Sequence, residues 1–143
     1  MQPSVQTTRS TESAGKPLAL VVDDRKDIAT TIAAMCRTAG FRAEVASDGE
    51  PVRGLLERLR PDCLIVDIMM PDEDGYEVLK ATAAFDPSIA VLLVSGYGES
   101  WLRMGLSLGR AQGLALVQAA SKPVRLDDIR AFLAAAEVYR AGA

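Results

Sequence analysis

Histidine is absent from the 143-residue chain. Its absence excludes imidazole-based catalysis and a role as a phosphohistidine carrier, and it disfavours a transition-metal site, since imidazole is the commonest ligand of such metals. Cysteine is scarce as well. Cys36 and Cys63 are too few for a disulfide framework, and we expect both to be buried as small apolar residues of the core.

Basic side chains are outnumbered, with 16 Lys and Arg against 19 Asp and Glu. A nucleic-acid partner is not expected, because binding to phosphate backbones normally needs a basic face. No apolar run reaches the roughly 18–20 residues that span a bilayer, and the polar N-terminus lacks the apolar core of a signal peptide. We therefore expect a cytoplasmic protein without membrane contact, with a flexible tail at 1–16 and one domain at 17–143.

Short apolar runs alternate with segments of helical periodicity. The runs near 18–22, 63–66 and 89–94 are continuous, which is typical of strands buried on both faces, whereas 41–45 alternates like an edge strand. A fifth strand is predicted at 114–119. One helix is predicted after each strand; the second begins with a capping-box spacing from Ser47 to Glu50 and Pro51 in its first turn. This alternation predicts an α/β fold with a doubly wound, five-stranded parallel sheet.

Polar residues stand where four of the predicted strands end. They are Asp23, Asp24, Asp67, Ser95 and Lys122. In open parallel sheets the carboxyl ends of the strands flank the ligand crevice. These five side chains are therefore expected to meet at one site.

The residue types at this site suit phosphoryl transfer. Three carboxylates repel one another unless a cation lies among them, and oxygen ligands without His or Cys favour Mg²⁺. A lysine supplies a point charge for phosphate oxygens, a serine hydroxyl can donate a further hydrogen bond, and an aspartate can itself be the nucleophile. Each residue alone is more often a helix cap or a turn residue, but their joint placement favours an active site.

The motifs at the strand ends resemble those of the response-regulator receiver (CheY-like) family over about residues 18–139. They are Asp23-Asp24, the run at 67–77, Ser95-Gly96 and Lys122-Pro123. The resemblance implies a flavodoxin-like sheet with strand order 2-1-3-4-5 and five helices. It also implies a cis peptide bond between Lys122 and Pro123.

The resemblance assigns a role to each site residue. Asp67 would be the phosphoacceptor and a ligand of Mg²⁺. Asp24 would bind Mg²⁺ directly, Asp23 directly or through water, and Met69 through its backbone carbonyl. Lys122 would hold the phosphoryl group, and Ser95 would move toward it as the switch hydroxyl.

One position departs from the receiver pattern. The family usually carries Tyr or Phe three residues before its lysine, and here that residue is Ala119. The run Ser95-Gly96-Tyr97-Gly98 is similar to a subset of single-domain receivers called FATGUY, which lack the aromatic. Tyr97 and Trp101 are then the candidates for reporting phosphorylation, and the helix containing Trp101 is a candidate homodimer or partner surface.

The leading hypothesis is a single-domain receiver of a two-component phosphorelay. It would accept its phosphoryl group from a sensor histidine kinase and signal by protein contact or by onward transfer to a histidine phosphotransfer protein. The chain is expected not to turn over a separate substrate. The sequence does not distinguish a complete regulator from a piece of a longer regulator or hybrid kinase.

Two rival hypotheses come from other functional classes. One is a Mg²⁺-dependent aspartyl-phosphate hydrolase; such enzymes often carry a second aspartate two residues after the nucleophile, where this chain has Met69, which cannot move protons. The other is a constitutive binding module that is never phosphorylated, against which the intact acidic pair and lysine argue.

Overall fold

The computed structural model describes residues 16–46, 50–68, 75–96 and 98–142. Within them five strands alternate with five helices. The strands are β1 (Leu18–Val22), β2 (Arg42–Val45), β3 (Cys63–Asp67), β4 (Ala90–Ser95) and β5 (Val117–Ser121). The helices are α1 (Lys26–Thr38), α2 (Val52–Leu59), α3 (Gly75–Phe85), α4 (Glu99–Ala111) and α5 (Leu126–Gly142).

The strands form one parallel sheet in the order β2-β1-β3-β4-β5. This confirms the predicted doubly wound fold and its strand order. The chain leaves β1 toward β2 on one side and then returns to β3 on the other. The carboxyl ends of β1 and β3 therefore flank the switch point at which such sheets bind ligands.

An apolar layer covers each face of the sheet. On one face α1 and α5 bury a cluster that includes Ile32, Cys36 and Phe132. On the other, α2, α3 and α4 bury a cluster that includes Leu56 and Leu79. Residues of β1, β3 and β4 contribute to both layers, which is why these strands are continuous apolar runs.

Both cysteines are buried, as predicted. Burial raises the pKa of the Cys36 thiol from 9.0 to about 12, and the neighbouring Arg37 charge opposes this shift only in part. The thiol is therefore neutral at physiological pH and packs as a small apolar group.

Two predicted boundaries are wrong. The fifth strand covers Val117–Ser121 rather than 114–119, because Leu114 is buried in the loop that follows Gly113, which has a φ of +98°. Pro51 is the residue before α2 rather than part of its first turn. The Glu50 carboxylate pairs with Arg58 at 2.9 Å, and Ser47, the other half of the predicted capping box, lies outside the described residues.

Within the described ranges, none of the helices combines the length and the apolar character that crossing a bilayer requires. The predicted tail at 1–16 stays a prediction, since all but its last residue lies outside those ranges.

Candidate functional site

The polar residues predicted at the strand ends do meet at one edge of the sheet. Asp23 follows β1, Asp67 and Ser95 are the last residues of β3 and β4, and Lys122 follows β5. Asp23, Asp67 and Ser95 are buried, whereas Asp24 is exposed. The result is a crevice with charged walls that is open to solvent on the side of Asp24.

Lys122 connects two of the carboxylates. Its Nζ donates a hydrogen bond of 2.9 Å to Asp67 Oδ2 and lies 3.0 Å from Asp23 Oδ2. The Lys122-Pro123 peptide bond is cis, as predicted, and the Lys122 amide N–H donates to the Ser95 carbonyl at 2.9 Å. The backbone of β4 thus helps to hold the lysine at the mouth of the crevice.

The charge of Lys122 is stabilised by these partners. Burial by itself lowers the pKa of the ammonium group, but the hydrogen bond to Asp67 and the ion pair with Asp23, together with the negative charges of both, raise the pKa above its ordinary value. The ammonium group therefore stays charged at neutral pH and offsets part of the repulsion among the carboxylates.

Asp23 uses its two carboxylate oxygens differently. Oδ1 accepts a hydrogen bond of 2.9 Å from the amide N–H of Arg25. Oδ2 is buried and accepts no hydrogen bond of acceptable geometry, so its 3.0 Å contact with Lys122 Nζ is an ion pair without hydrogen-bond alignment. A buried carboxylate oxygen of this kind has capacity for a further cationic partner.

A divalent cation fits this arrangement. One carboxylate oxygen from each of Asp23, Asp24 and Asp67 can be chosen so that all three lie within 4.8 Å of one another. The donor set is entirely oxygen, which suits a hard ion such as Mg²⁺. The exposure of Asp24 leaves room for the water ligands that Mg²⁺ retains.

Gly75 is a structural requirement of the site that the sequence interpretation did not single out. It begins α3, and its amide N–H donates to the Ile68 carbonyl at 2.8 Å. A Cβ at this position would lie 2.5 Å from Ile68 Cα and 2.8 Å from the Asp67 carbonyl oxygen. A glycine that follows an acidic run of the sequence and begins a predicted helix is the signal that could have revealed it.

Those of the other predicted residues that the structure describes do not join the carboxylate cluster. Met69 and Tyr97 fall outside the described residues. Trp101 is 39% exposed on α4. Ala119 is half-buried on β5 and lines a cavity of about 280 Å³ between β5 and α4.

The family model of the response regulator receiver domain matches residues 19–134. Sporulation initiation phosphotransferase F of Bacillus subtilis is 29% identical over 112 residues, which are 78% of this chain and 86% of that protein. The transcriptional regulatory protein CreB of Escherichia coli is 33% identical over 90 residues. Those residues are 62% of this chain but 39% of CreB, so the chain spans well under half of that regulator.

Solved structures agree with this match at the level of the fold. The CheY-like response regulator receiver domain protein of Methanospirillum hungatei superimposes with a TM-score of 0.75 at 19% identity, over 90% of this chain and 99% of its own. The receiver domain of a LuxO repressor protein of Vibrio parahaemolyticus gives 0.74 at 20% identity, over 89% and 95%. With a family model that covers most of its length, the chain belongs to the response regulator receiver domain family of two-component signalling.

Proposed function

We propose that Asp67 accepts a phosphoryl group from a phosphohistidine of a sensor kinase or of a phosphotransfer protein. The chain then signals its phosphorylated state by protein contact or passes the group on. The observation that carries this proposal is the Lys122 ammonium group, which lies 2.9 Å from Asp67 and 3.0 Å from Asp23 in a crevice that also contains Asp24.

In the transfer step an Asp67 carboxylate oxygen attacks phosphorus. A new oxygen–phosphorus bond forms, the phosphorus–nitrogen bond of the donor breaks, and the donor imidazole leaves as the neutral base once it holds a proton. Asp23, Asp24 and Asp67 would hold Mg²⁺, which neutralises charge on the carboxylates and the phosphoryl oxygens when bound. Met69, which the resemblance makes a further ligand through its carbonyl, stays a prediction.

Lys122 and Ser95 act on the product. Once Asp67 is an acyl phosphate, its carboxylate charge has moved onto the phosphoryl oxygens. The Lys122 ammonium group then donates to a phosphoryl oxygen in place of Asp67 Oδ2. Ser95, at the end of the neighbouring strand, donates its hydroxyl to another of these oxygens.

An apolar groove beside the crevice supports a protein donor. Its cavity of about 420 Å³ lies between α1 and the segment after β5, and Lys122 belongs to both the groove and the crevice. The other lining residues are Asp27, Ile28, Thr31, Ile32, Met35, Pro123 and Val124. Met35→Asp should therefore weaken transfer from a kinase while leaving phosphorylation by acetyl phosphate unchanged.

The direct test is phosphorylation by acetyl phosphate and Mg²⁺, followed by intact-protein mass. The wild type should gain one phosphoryl group, Asp67→Asn should gain none, and EDTA should prevent the gain. Asp127→Asn, which changes an exposed aspartate in the first turn of α5, is the matched control and should behave like the wild type. An adduct that persists in Asp67→Asn, or a wild type that stays unmodified with both acetyl phosphate and kinases, contradicts the proposal.

A homodimer through α4 stays a prediction. Trp101 and Met104 support it, being 39% and 57% exposed on this helix. Sedimentation of the wild type and of a Trp101→Ala, Met104→Ala double variant would test it. The single-domain arrangement, the cytoplasmic location and the likeness to the FATGUY subset also stay predictions.

A further inference from the structure

We propose that Tyr76 is a positioning residue that couples the phosphorylation of Asp67 to the placement of α4. The proposal rests on the proposed function, because it needs Asp67 to exist in two states. It adds the physical connection by which one of these states reaches a helix that carries exposed Trp101 and Met104.

The first part of the connection joins Tyr76 to the acceptor strand. Tyr76 follows Gly75, whose amide N–H bonds to the Ile68 carbonyl at 2.8 Å. The backbones are in such close contact that a Cβ at Gly75 would lie 2.5 Å from Ile68 Cα and 2.8 Å from the Asp67 carbonyl oxygen. A movement of the Asp67–Ile68 backbone must therefore move the beginning of α3, and Tyr76 with it.

The second part joins Tyr76 to α4. The Tyr76 hydroxyl donates a hydrogen bond of 3.0 Å to the backbone carbonyl of Trp101 in the first turn of α4. One turn later, its ring carbon Cε1 lies 3.4 Å from the position that a Cβ of Gly105 would occupy. Tyr76 thus contacts α4 at two positions one turn apart, Trp101 with its hydroxyl and Gly105 with its ring.

At Gly105, α4 also packs against Ile68, the residue that follows the acceptor. Ile68 Cδ1 and Leu93 Cδ1 lie 3.2 Å and 2.7 Å from that Cβ position of Gly105. Only a glycine allows the helix to approach so closely. Residues that follow or belong to β3, β4 and α3 therefore all contact α4 at residue 105.

Ala119 cannot make a comparable connection. Its methyl group lines the cavity of about 280 Å³ between β5 and α4 and has no polar group with which to bond the helix. A change at the acceptor is therefore transmitted to α4 from the α3 side, by making or breaking the Tyr76–Trp101 hydrogen bond.

The experiment is a thermodynamic cycle on the full chain, with Tyr76→Phe as the variant that removes only the hydroxyl. Amide hydrogen exchange of α4 is measured in the resting protein and in the protein phosphorylated by acetyl phosphate and Mg²⁺, with the adduct checked by mass. We expect Tyr76→Phe to speed exchange in α4 by roughly 2- to 10-fold in one state, as loss of one hydrogen bond predicts, and to leave it unchanged in the other. The adduct should form as in the wild type.

The fluorescence of Trp101 gives a second readout, because it is the single tryptophan of the chain. Its emission should change on phosphorylation in the wild type, and Tyr76→Phe should lose more than half of that change. Tyr139→Phe, which removes a hydroxyl from α5, is the matched control and should respond like the wild type.

Three results overturn the proposal. Equal effects of Tyr76→Phe on exchange in both states would make the hydrogen bond merely structural. A phosphorylated wild type without any change in α4 exchange or Trp101 emission would remove the coupling itself. A wild type that never takes up a phosphoryl group would overturn the proposed function and this proposal with it, and the mass measurement distinguishes that result from the other two.

Discussion

Both faces of the sheet bury large apolar side chains, but they differ in how closely the helix backbones approach their neighbours. On the α1–α5 face large side chains interlock, and Ile32, Ile129 and Phe132 are almost completely buried. On the α3–α4 face the helix backbones themselves come close, because a Cβ at Gly75, Gly105 or Gly109 would lie within 3.2 Å of a neighbouring atom.

Buried side chains and close backbone approach have different consequences. Interlocked side chains bury much apolar area and resist unfolding, since their removal leaves a cavity. A helix backbone pressed against its neighbours has little freedom to shift, and the atoms nearest to Gly75 and Gly105 include atoms of Asp67 and Ile68. Side chains on both faces therefore contribute to the free energy of unfolding, and the close backbone approach makes the α3–α4 face the one that senses the acceptor.

The largest expected effect on the free energy of unfolding concerns Phe132 on the α1–α5 face. Phe132→Ala should lower the free energy of unfolding by about 3–5 kcal/mol, because it removes a fully buried ring. Urea denaturation measures the loss. Val138→Ala in the same helix is the control; Val138 is 73% exposed, so its change should stay within about 0.5 kcal/mol. Similar losses for the two variants would refute the burial assigned to this face.

Gly75→Ala should show the next largest effect. Its methyl group would meet the backbone of Ile68 and Asp67, which cannot give way as a side chain can. We expect a loss of about 1–3 kcal/mol in the free energy of unfolding and slower phosphorylation by acetyl phosphate, because the acceptor strand is displaced. Normal stability together with normal phosphorylation would mean that this backbone contact does not position the acceptor.

A pair of helical glycines sharpens the comparison. In Gly105→Ala the methyl group would lie 2.7 Å from Leu93 Cδ1, whereas in Gly54→Ala the nearest atom is Glu50 Oε2 at 3.8 Å. Gly54→Ala should stabilise the protein by about 0.5–1 kcal/mol through helix propensity alone. Gly105→Ala should lose this gain to overpacking and be neutral or destabilising. Thermal unfolding of both variants measures the difference, and equal stabilisation would argue against close packing at α4.

The smallest effect concerns pH on the α1–α5 face. Burial raises the pKa of Cys36 to about 12, so the unfolded state loses the thiol proton first as pH rises. The resulting stability is fully present below the unfolded pKa of about 9 and is lost as pH approaches 12. Between pH 8 and 10 the wild type should lose up to about 1 kcal/mol more than Cys36→Ala. An equal loss would place the thiol in a solvated environment.

Much of this architecture follows from local patterns. The continuous apolar runs of β1, β3 and β4 and the helical stripes between them lead to the parallel sheet, and the sheet brings Asp23, Asp67 and Lys122 together. The predicted start of β5 is wrong because Leu114 and Val117 are both apolar and buried, and an apolar pattern does not distinguish a buried loop residue from a strand residue.

Contacts between distant elements could not be predicted from such patterns. Tyr76 and Trp101 are separated by 25 residues, and the close approach at Gly105 depends on how α4 lies on Ile68 and Leu93. A helical glycine at the surface and one pressed against a strand look alike in the sequence, as Gly54 and Gly105 do. These contacts depend on packing, which only the folded chain determines.

The most direct test of the central claim is to locate the phosphoryl group among the three neighbouring aspartates. The phosphorylated protein is reduced with borohydride, which converts an acyl phosphate to the alcohol, and its peptides are sequenced by mass spectrometry. Homoserine at position 67, with Asp23 and Asp24 unchanged, is the predicted result. Homoserine at 23 or 24, or at none of the three in a protein shown by mass to be phosphorylated, would contradict the account.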